Sequence, residues 1–270
     1  MRDLFAEAGL DVDAIATGKT NINDLGAEVG PPSSLSHVLV VVDPLGDCII
    51  ALKMNDRTLP RDHGFPARAL IPGHAGARQP KWVHKLSLRP KAAGVLQCLG
   101  FAPDVTFEDD LSFNWPPKEH MVSARVVQEM PVQSLVCQPP QRSTISGRNL
   151  EKLTLKGVAW SGGGSGIHRV DVSLNGGEDF TAADLYKPVV QHRRGQWGWT
   201  QFAKDVELPA EVREQLRRGE CVELELTSKA VDSHYNVQPA EPEPFVNPRG
   251  VAVNHWYRVR VTLDPSLPEG

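Results

Sequence analysis

Short stretches in which apolar and polar residues alternate fill much of the chain after Pro131. A period of two places alternate side chains on opposite faces of a β-strand, so these stretches predict strands with one buried face. The predicted strands are Leu153–Trp160, Ile167–Leu174, Val222–Leu226 and Tyr257–Leu263. Their inward-facing residues include Val170, Val172, Leu174, Val259, Val261 and Leu263.

Turn sequences separate these predicted strands. Gly162-Gly163-Gly164 and Asn175-Gly176-Gly177 are typical of tight connections between strands. One short helix is predicted from Pro209, a residue favoured in a first helical turn, to Gly219. Many short strands in this arrangement predict an all-β immunoglobulin-like sandwich over residues 129–270.

The pattern in residues 1–128 is less regular. The first residues are typical of the end of an amphipathic helix that stops at Gly9, and residues 10–36 are polar and rich in Gly and Pro, which predicts a loop. Apolar or alternating runs predict strands at His37–Val42, Cys48–Met54 and Trp82–Leu88. Residues 57–82 offer little apolar surface, so we expect their order to depend on a ligand or a partner. A chain that starts inside a helix also predicts missing upstream sequence.

Composition narrows the classes of protein that this chain can represent. It has 270 residues, 40% of them hydrophobic and 23% charged, with a net charge of −4. This charge argues against a nucleic-acid-binding protein, and no apolar run approaches the roughly 20 residues of a membrane-spanning helix. The four cysteines form no CxxC pair, which argues against a structural zinc site and favours a reducing compartment. The acidic amino terminus is not a targeting peptide.

The best chemical candidate is the basic, glycine-rich stretch 61–82. It contains His63, Arg68, Arg78 and Lys81 beside glycine amides, and such donors suit a phosphate, sulfate or other oxyanion. On residue types alone, a solvated basic loop explains the same stretch better.

Other groups of residues that resemble functional sites have structural explanations. His63, His74 and His84 have no metal-ligand spacing and are expected at the surface. The glycine run after Ser161 is expected to be a hairpin turn, because it lacks the Lys-Ser/Thr pair of a phosphate loop. A set of four aromatic residues is expected in the sandwich core: Trp197, Trp199, Trp256 and Tyr257.

The same loops carry a resemblance to a known family. Leu59–Arg68 (LPRDHGFPAR) and Pro72–Trp82 (PGHAGARQPKW) resemble the molybdopterin-binding signature of the sulfite oxidase family. Thr154–Gly177 resembles the start of that family's dimerisation domain, and Lys229–Val251 and Asn254–Val259 resemble its end. The resemblance implies a molybdenum oxidoreductase that oxidises sulfite to sulfate by oxygen-atom transfer. Residues 1–128 would be the α+β remnant of its molybdenum-cofactor domain.

The resemblance also implies roles for individual residues. The residues that match cofactor contacts of the family are Asp11, His63, Arg68, Gln79, Pro80 and Lys81. Arg249 matches an arginine of the sulfite pocket, and nitrate reductases, which share both domains, typically lack it. Two departures stand out. No residue here matches the metal-ligating cysteine, so no metal ligand is predicted, and Cys98 occupies the position of the active-site tyrosine.

The family further implies a homodimer formed through residues 129–270, with no haem domain in this chain. Animal members are mitochondrial and plant members peroxisomal, so the compartment is one of these or the cytoplasm. Two alternatives remain open: a non-catalytic dimerisation or interaction module that keeps the sandwich but not the cofactor, and a nitrate reductase-type relative.

Overall fold

The fold is described from a computed structural model that covers residues 6–9, 11, 24–28, 33–35, 47–76, 79–89, 129–186, 195–242 and 252–268. The chain divides into two compact units. The first comprises Met1–Met130 and Asn247–Ala252, and the second comprises Pro131–Val246 and Val253–Gly270.

The described residues of the first unit form three small antiparallel sheets. Their strands are β1 (Asp24–Glu28), β2 (Ser33–Leu35), β3 (Ile49–Ala51), β4 (Lys53–Met54), β5 (Arg57–Thr58), β6 (Arg68–Leu70) and β7 (Lys85–Arg89). Strand β1 lies between β2 and β7, β3 pairs with β6, and β4 forms a hairpin with β5. Buried apolar residues of this unit include Leu59, Ala69, Ile71 and Val83.

Several predictions for this unit need correction. Residues 10–36, predicted as a loop, contain β1 and β2. The predicted strand Cys48–Met54 is interrupted at Leu52 and supplies β3 and β4 to two different sheets. Residues 57–82 contain β5, β6 and a 3-10 turn at Arg61–His63, and the dependence of their order on a ligand or partner stays a prediction. In each case the strands are short and depend on backbone pairing, and in 57–82 the buried Leu59, Ala69 and Ile71 add apolar packing. The strand predicted at His37–Val42 lies outside the described residues.

In the second unit, the described strands form two sheets that share one hydrophobic core. The four-stranded sheet has the order β13 (Asp184–Tyr186), β14 (Thr200–Glu207), β10 (Lys152–Trp160) and β8 (Gln133–Gln138). The five-stranded sheet has the order β12 (Thr181–Ala182), β11 (Ile167–Ser173), β15 (Val222–Asp232), β16 (Tyr257–Asp264) and β9 (Thr144–Ser146). Helix α1 (Ala210–Arg217) contributes the buried Leu216.

Alternation along the strands builds the core of this unit, as the sequence predicts. Val170, Val172 and Leu174 are all at most 6% exposed, and Val259, Val261 and Leu263 are at most 1% exposed. From the other sheet, Leu155 and Phe202 join the same core. Side chains of both sheets are therefore removed from water together, which is the main stabilising contribution in such a fold.

The prediction that the aromatic residues lie in this core is wrong. Trp199 is 56% exposed and Tyr257 is 37% exposed, and Trp197 and Trp256 are only half-buried. Trp199 packs at the surface against Trp160, with ring centroids 6.3 Å apart. Trp256 makes an edge-to-face contact with Phe180 at 5.1 Å and donates its indole N–H to the Gln238 carbonyl. An indole keeps its N–H satisfied at such half-exposed positions.

The buried carboxylate of Asp232 lies at the end of a strand in the five-stranded sheet. Asp232, at the end of β15, is 1% exposed and accepts hydrogen bonds from the Ser161 hydroxyl at 2.8 Å and the Asn236 amide at 2.9 Å. It also accepts the backbone N–H groups of His234 and Asn236. Burial alone would raise the pKa of Asp232, but these hydrogen bonds outweigh it and hold the pKa below its ordinary value.

We expect Asp232→Asn to lower the free energy of unfolding by about 1–3 kcal/mol at neutral pH. The new amide nitrogen is itself a donor, and it would face two of the donors that the carboxylate accepts in the wild type. A folded-state pKa below the unfolded value gives stability that is present above about pH 4 and is lost as pH falls through the folded pKa. Urea denaturation at neutral pH and at about pH 3 should therefore show a difference that shrinks in acid. The exposed control Asp205→Asn should change stability by less than about 0.5 kcal/mol. A pH-independent loss for Asp232→Asn would contradict this role.

Candidate functional site

The candidate site is built on a backbone hairpin that brings two loops of the first unit together. Ala69 donates its N–H to the Pro80 carbonyl at 3.0 Å, and Val83 donates to the Ala67 carbonyl at 2.8 Å. Trp82 closes the arrangement by donating its N–H to the Gly64 carbonyl at 3.3 Å. Residues far apart along the chain are thus held side by side, because antiparallel pairing fixes their register.

Gly64 is the point at which the loops meet. Its φ angle is +119°, which L side chains rarely adopt, and it caps the 3-10 turn that carries His63. A Cβ at this position would lie 3.0 Å from the Cβ of Arg68 and 3.1 Å from the Cβ of Lys81. The absence of a side chain therefore lets the chains that bear both cations approach closely.

The predicted cationic residues are positioned by backbone carbonyls of the 3-10 turn. The Arg68 guanidinium donates from Nη1 to the His63 carbonyl at 3.0 Å, and Lys81 Nζ donates to the Asp62 carbonyl at 2.7 Å. Lys81 Nζ also lies 5.5 Å from the centroid of the Trp82 ring. Three of the predicted residues, His63, Arg68 and Lys81, are therefore brought together around one turn.

One donor of Arg68 has no partner in the part of the chain that the structure describes. The Nε atom of Arg68 is buried, and no hydrogen-bond acceptor for it exists among the described residues. Buried polar groups in proteins are nearly always paired, and a missing partner indicates a ligand or an ordered water. A guanidinium N–H at the side of a second cation suits an anionic oxygen. The arrangement can therefore hold an oxyanion, which agrees with the chemistry of the residue types.

Gln79 and Pro80 belong to the same hairpin. Gln79 donates from Nε2 to the carbonyl of His74 at 3.1 Å, and the Pro80 carbonyl accepts the Ala69 N–H. Both residues therefore shape the loop between β6 and Lys81. Their predicted contact with a cofactor remains a prediction.

The other residues predicted from the family resemblance are Asp11, Arg249 and Cys98. Asp11 is exposed and is far along the chain from the hairpin, and its cofactor contact stays a prediction. Arg249 and Cys98 lie outside the described residues. Within the described part of the chain, no group of three or more His, Cys, Asp or Glu side chains could hold a metal ion.

Sequence reasoning missed two residues and misplaced a third. Trp82, with φ +57° and its indole N–H donated to the Arg61 carbonyl at 2.9 Å, braces the 3-10 turn, and no local pattern indicates this. Gly64 is essential to the approach of the loops, whereas the sequence marks it only as one of several glycine amides. His74, expected at the surface, is only 7% exposed. The tertiary fold buries it, because its loop is held by Gln79 on one side and by the Gly73 carbonyl, which accepts the Met130 N–H, on the other.

Two family models match this chain. Residues 1–94 match the family described as oxidoreductase molybdopterin binding domain, and residues 124–264 match the family described as Mo-co oxidoreductase dimerisation domain. In the part of the chain that the structure describes, no helix is long and apolar enough to span a bilayer.

The chain is similar to several curated enzymes. It is 37% identical over 228 residues to mitochondrial sulfite oxidase of Rattus norvegicus, which covers 83% of this chain and 38% of that protein. It is 37% identical over 264 residues to sulfite oxidase of Gallus gallus, covering 96% of this chain and 52% of that protein. It is 30% identical over 232 residues to nitrate reductase [NADPH] of Phytophthora infestans, covering 82% of this chain and 24% of that protein. The chain thus spans about half or less of the relatives it matches.

A solved structure supports the fold. The sulfane dehydrogenase SoxCD from Paracoccus pantotrophus aligns with 96% of this chain and 62% of its own, with a TM-score of 0.61 and 23% identity. The family models match both parts of the chain, and the curated relatives extend across them in one alignment. The chain therefore belongs to the sulfite oxidase family of molybdopterin oxidoreductases.

Proposed function

We propose that this chain carries part of the cofactor site of a sulfite oxidase-type molybdenum enzyme that oxidises sulfite to sulfate by oxygen-atom transfer. The observation that supports this most directly is the convergence of Arg68, Lys81 and the His63 turn on Gly64. The hydrogen bonds that both cations make to backbone carbonyls are exposed, so they add little to stability. Binding an anion explains why two cations are held together here.

The donors fit the phosphate group of molybdopterin. The unpaired Arg68 Nε and the Lys81 ammonium would bind phosphate oxygens, and His63 would complete the set. Gln79, Pro80 and Asp11 would contact other parts of the same cofactor, as the family resemblance implies. When bound, molybdenum supplies the redox chemistry. The residues of this chain then bind and orient the pterin, and none of them is predicted to ligate the metal.

The substrate assignment depends on Arg249. A guanidinium in the pocket would pair with the sulfite dianion through charge-assisted hydrogen bonds. Nitrate reductase-type relatives share both domains, so nitrate is the second candidate substrate; the arginine in Pro248-Arg249-Gly250 favours sulfite. At the position of the family tyrosine stands Cys98. This replacement would leave the pocket without the phenol hydroxyl.

For the architecture, we propose a partial molybdopterin-binding domain at 1–128 and an immunoglobulin-like dimerisation domain at 129–270. The break between the two compact units at Met130 and Pro131 supports the boundary, and the two-sheet packing supports the sandwich. The homodimer would form through 129–270. Mitochondrial relatives favour the mitochondrion, in the intermembrane space by family resemblance, if a presequence precedes Met1; cytoplasm and peroxisome are the alternatives.

A second candidate function is a non-catalytic dimerisation or interaction module. The hydrophobic core of the second unit is made entirely from residues between Val132 and Leu263, which favours a sandwich that is stable without the cofactor. The Cys98 replacement is consistent with it.

One experiment separates these two functions. The chain is purified from a host that makes molybdopterin, and its molybdenum and pterin contents are measured beside its mass by light scattering. We expect stoichiometric pterin, detected by the fluorescence of its oxidised form, in a dimer. A dimer with neither pterin nor molybdenum would select the non-catalytic module.

A further inference from the structure

His74 presents a second unpaired polar atom in the candidate site. The residue is 7% exposed and lies in the loop between β6 and Gln79. Its Nδ1 is 3.1 Å from the Pro72 carbonyl oxygen, and its own carbonyl accepts the Gln79 amide. Its Nε2 is buried and has no hydrogen-bond partner among the described residues.

The contact at Nδ1 defines what the missing partner must be. A carbonyl oxygen only accepts hydrogen bonds, so Nδ1 carries the proton. In the neutral imidazole, Nε2 then bears a lone pair and no hydrogen. In this neutral form the atom can be satisfied by an N–H or O–H donor, and an anionic oxygen cannot satisfy it.

The two unpaired atoms of the site therefore have opposite character. Arg68 Nε is a donor and suits a phosphate oxygen, whereas His74 Nε2 is an acceptor and suits an N–H group. Arg68 lies in β6 and His74 in the loop that follows it, and the Ala69 to Pro80 hydrogen bond ties β6 to the chain after Gln79. A phosphorylated pterin offers both groups, because its phosphate is anionic and its ring system carries N–H and amino donors.

We propose that His74 Nε2 accepts a hydrogen bond from an N–H group of the pterin, which makes His74 a cofactor-binding residue beyond those that the family motif indicates. This inference rests on the proposed function. It assigns the heterocycle to the His74 side of the hairpin and the phosphate to the Arg68 side.

Two substitutions separate this role from a structural one. His74→Asn keeps a donor where Nδ1 faces the Pro72 carbonyl and removes the atom at the Nε2 position. His74→Gln places an amide oxygen near the Nε2 position and removes the Nδ1 donor. The exposed His84→Asn serves as a control. Each variant is purified as the full chain, and retained pterin after dialysis and the thermal midpoint are measured.

We expect His74→Asn to retain about fivefold less pterin than the wild type, the effect of one lost neutral hydrogen bond, with an unchanged midpoint without cofactor. His74→Gln should retain more pterin than His74→Asn while melting earlier, and His84→Asn should match the wild type. Equal pterin in His74→Asn and wild type would overturn the inference alone and indicate a buried water at Nε2. A wild-type chain without pterin would overturn the proposed function and this inference together.

Discussion

Replacing Arg68 by alanine should lower the molybdopterin that the chain retains by about ten- to a hundredfold. The guanidinium supplies the unpaired Nε donor, and hydrogen bonds to charged groups contribute about 1.5–3 kcal/mol each. The measurement is pterin per chain after gel filtration, with molybdenum determined in parallel. Arg68→Lys should recover only part of the loss, because an ammonium lacks the planar fork of the guanidinium.

Arg57 in β5 provides the matched control for this prediction. It is an exposed arginine of the same unit, and Arg57→Ala removes an equal charge without touching the hairpin. Its pterin content should equal that of the wild type. Equal losses in both variants would show that only the net charge matters, and unchanged pterin in Arg68→Ala would remove Arg68 from the site.

Gly157→Ala should lower the free energy of unfolding by about 3 kcal/mol or more, a severe overpacking effect. A Cβ on Gly157 would lie 2.1 Å from the Leu135 carbonyl oxygen and 2.3 Å from Cζ of Phe202. The first atom belongs to the backbone of the neighbouring strand β8, and the second to a ring that is 1% exposed. Neither can move without opening the pairing of β10 and β8 or displacing the core. Urea denaturation followed by circular dichroism measures the loss.

The control is Gly219→Ala, just after helix α1. A Cβ on Gly219 would have no atom within 4 Å, but the φ angle of this residue is +83°. Backbone strain alone should therefore lower the free energy of unfolding, by about 1–2 kcal/mol. If the two glycine substitutions cost the same, the close approach at Gly157 is not what limits this position.

The site is partly predictable from residue types. Arg68, Lys81 and His63 lie in a basic stretch whose donors suit an oxyanion, but residue types alone favour a solvated loop, and the family resemblance is what changes that preference. Their convergence cannot be read from the sequence, because it depends on the hydrogen bonds that pair residues 67–69 with 80–83 and on the close contacts of Gly64. The roles of Asp11, Arg249 and Cys98 rest on the family resemblance and stay predictions.

The sequence by itself determined the strands of the second unit whose apolar residues alternate, such as β10, β11 and β16, and helix α1 between Pro209 and Gly219. When strongly apolar residues alternate with polar ones, a strand can bury all of the apolar side chains only on one face. Only the tertiary structure decided β1 and β2, whose residues carry little apolar signal, the burial of His74 and the exposure of Trp199. These features depend on which distant segments pair and pack, and the local sequence does not specify those contacts.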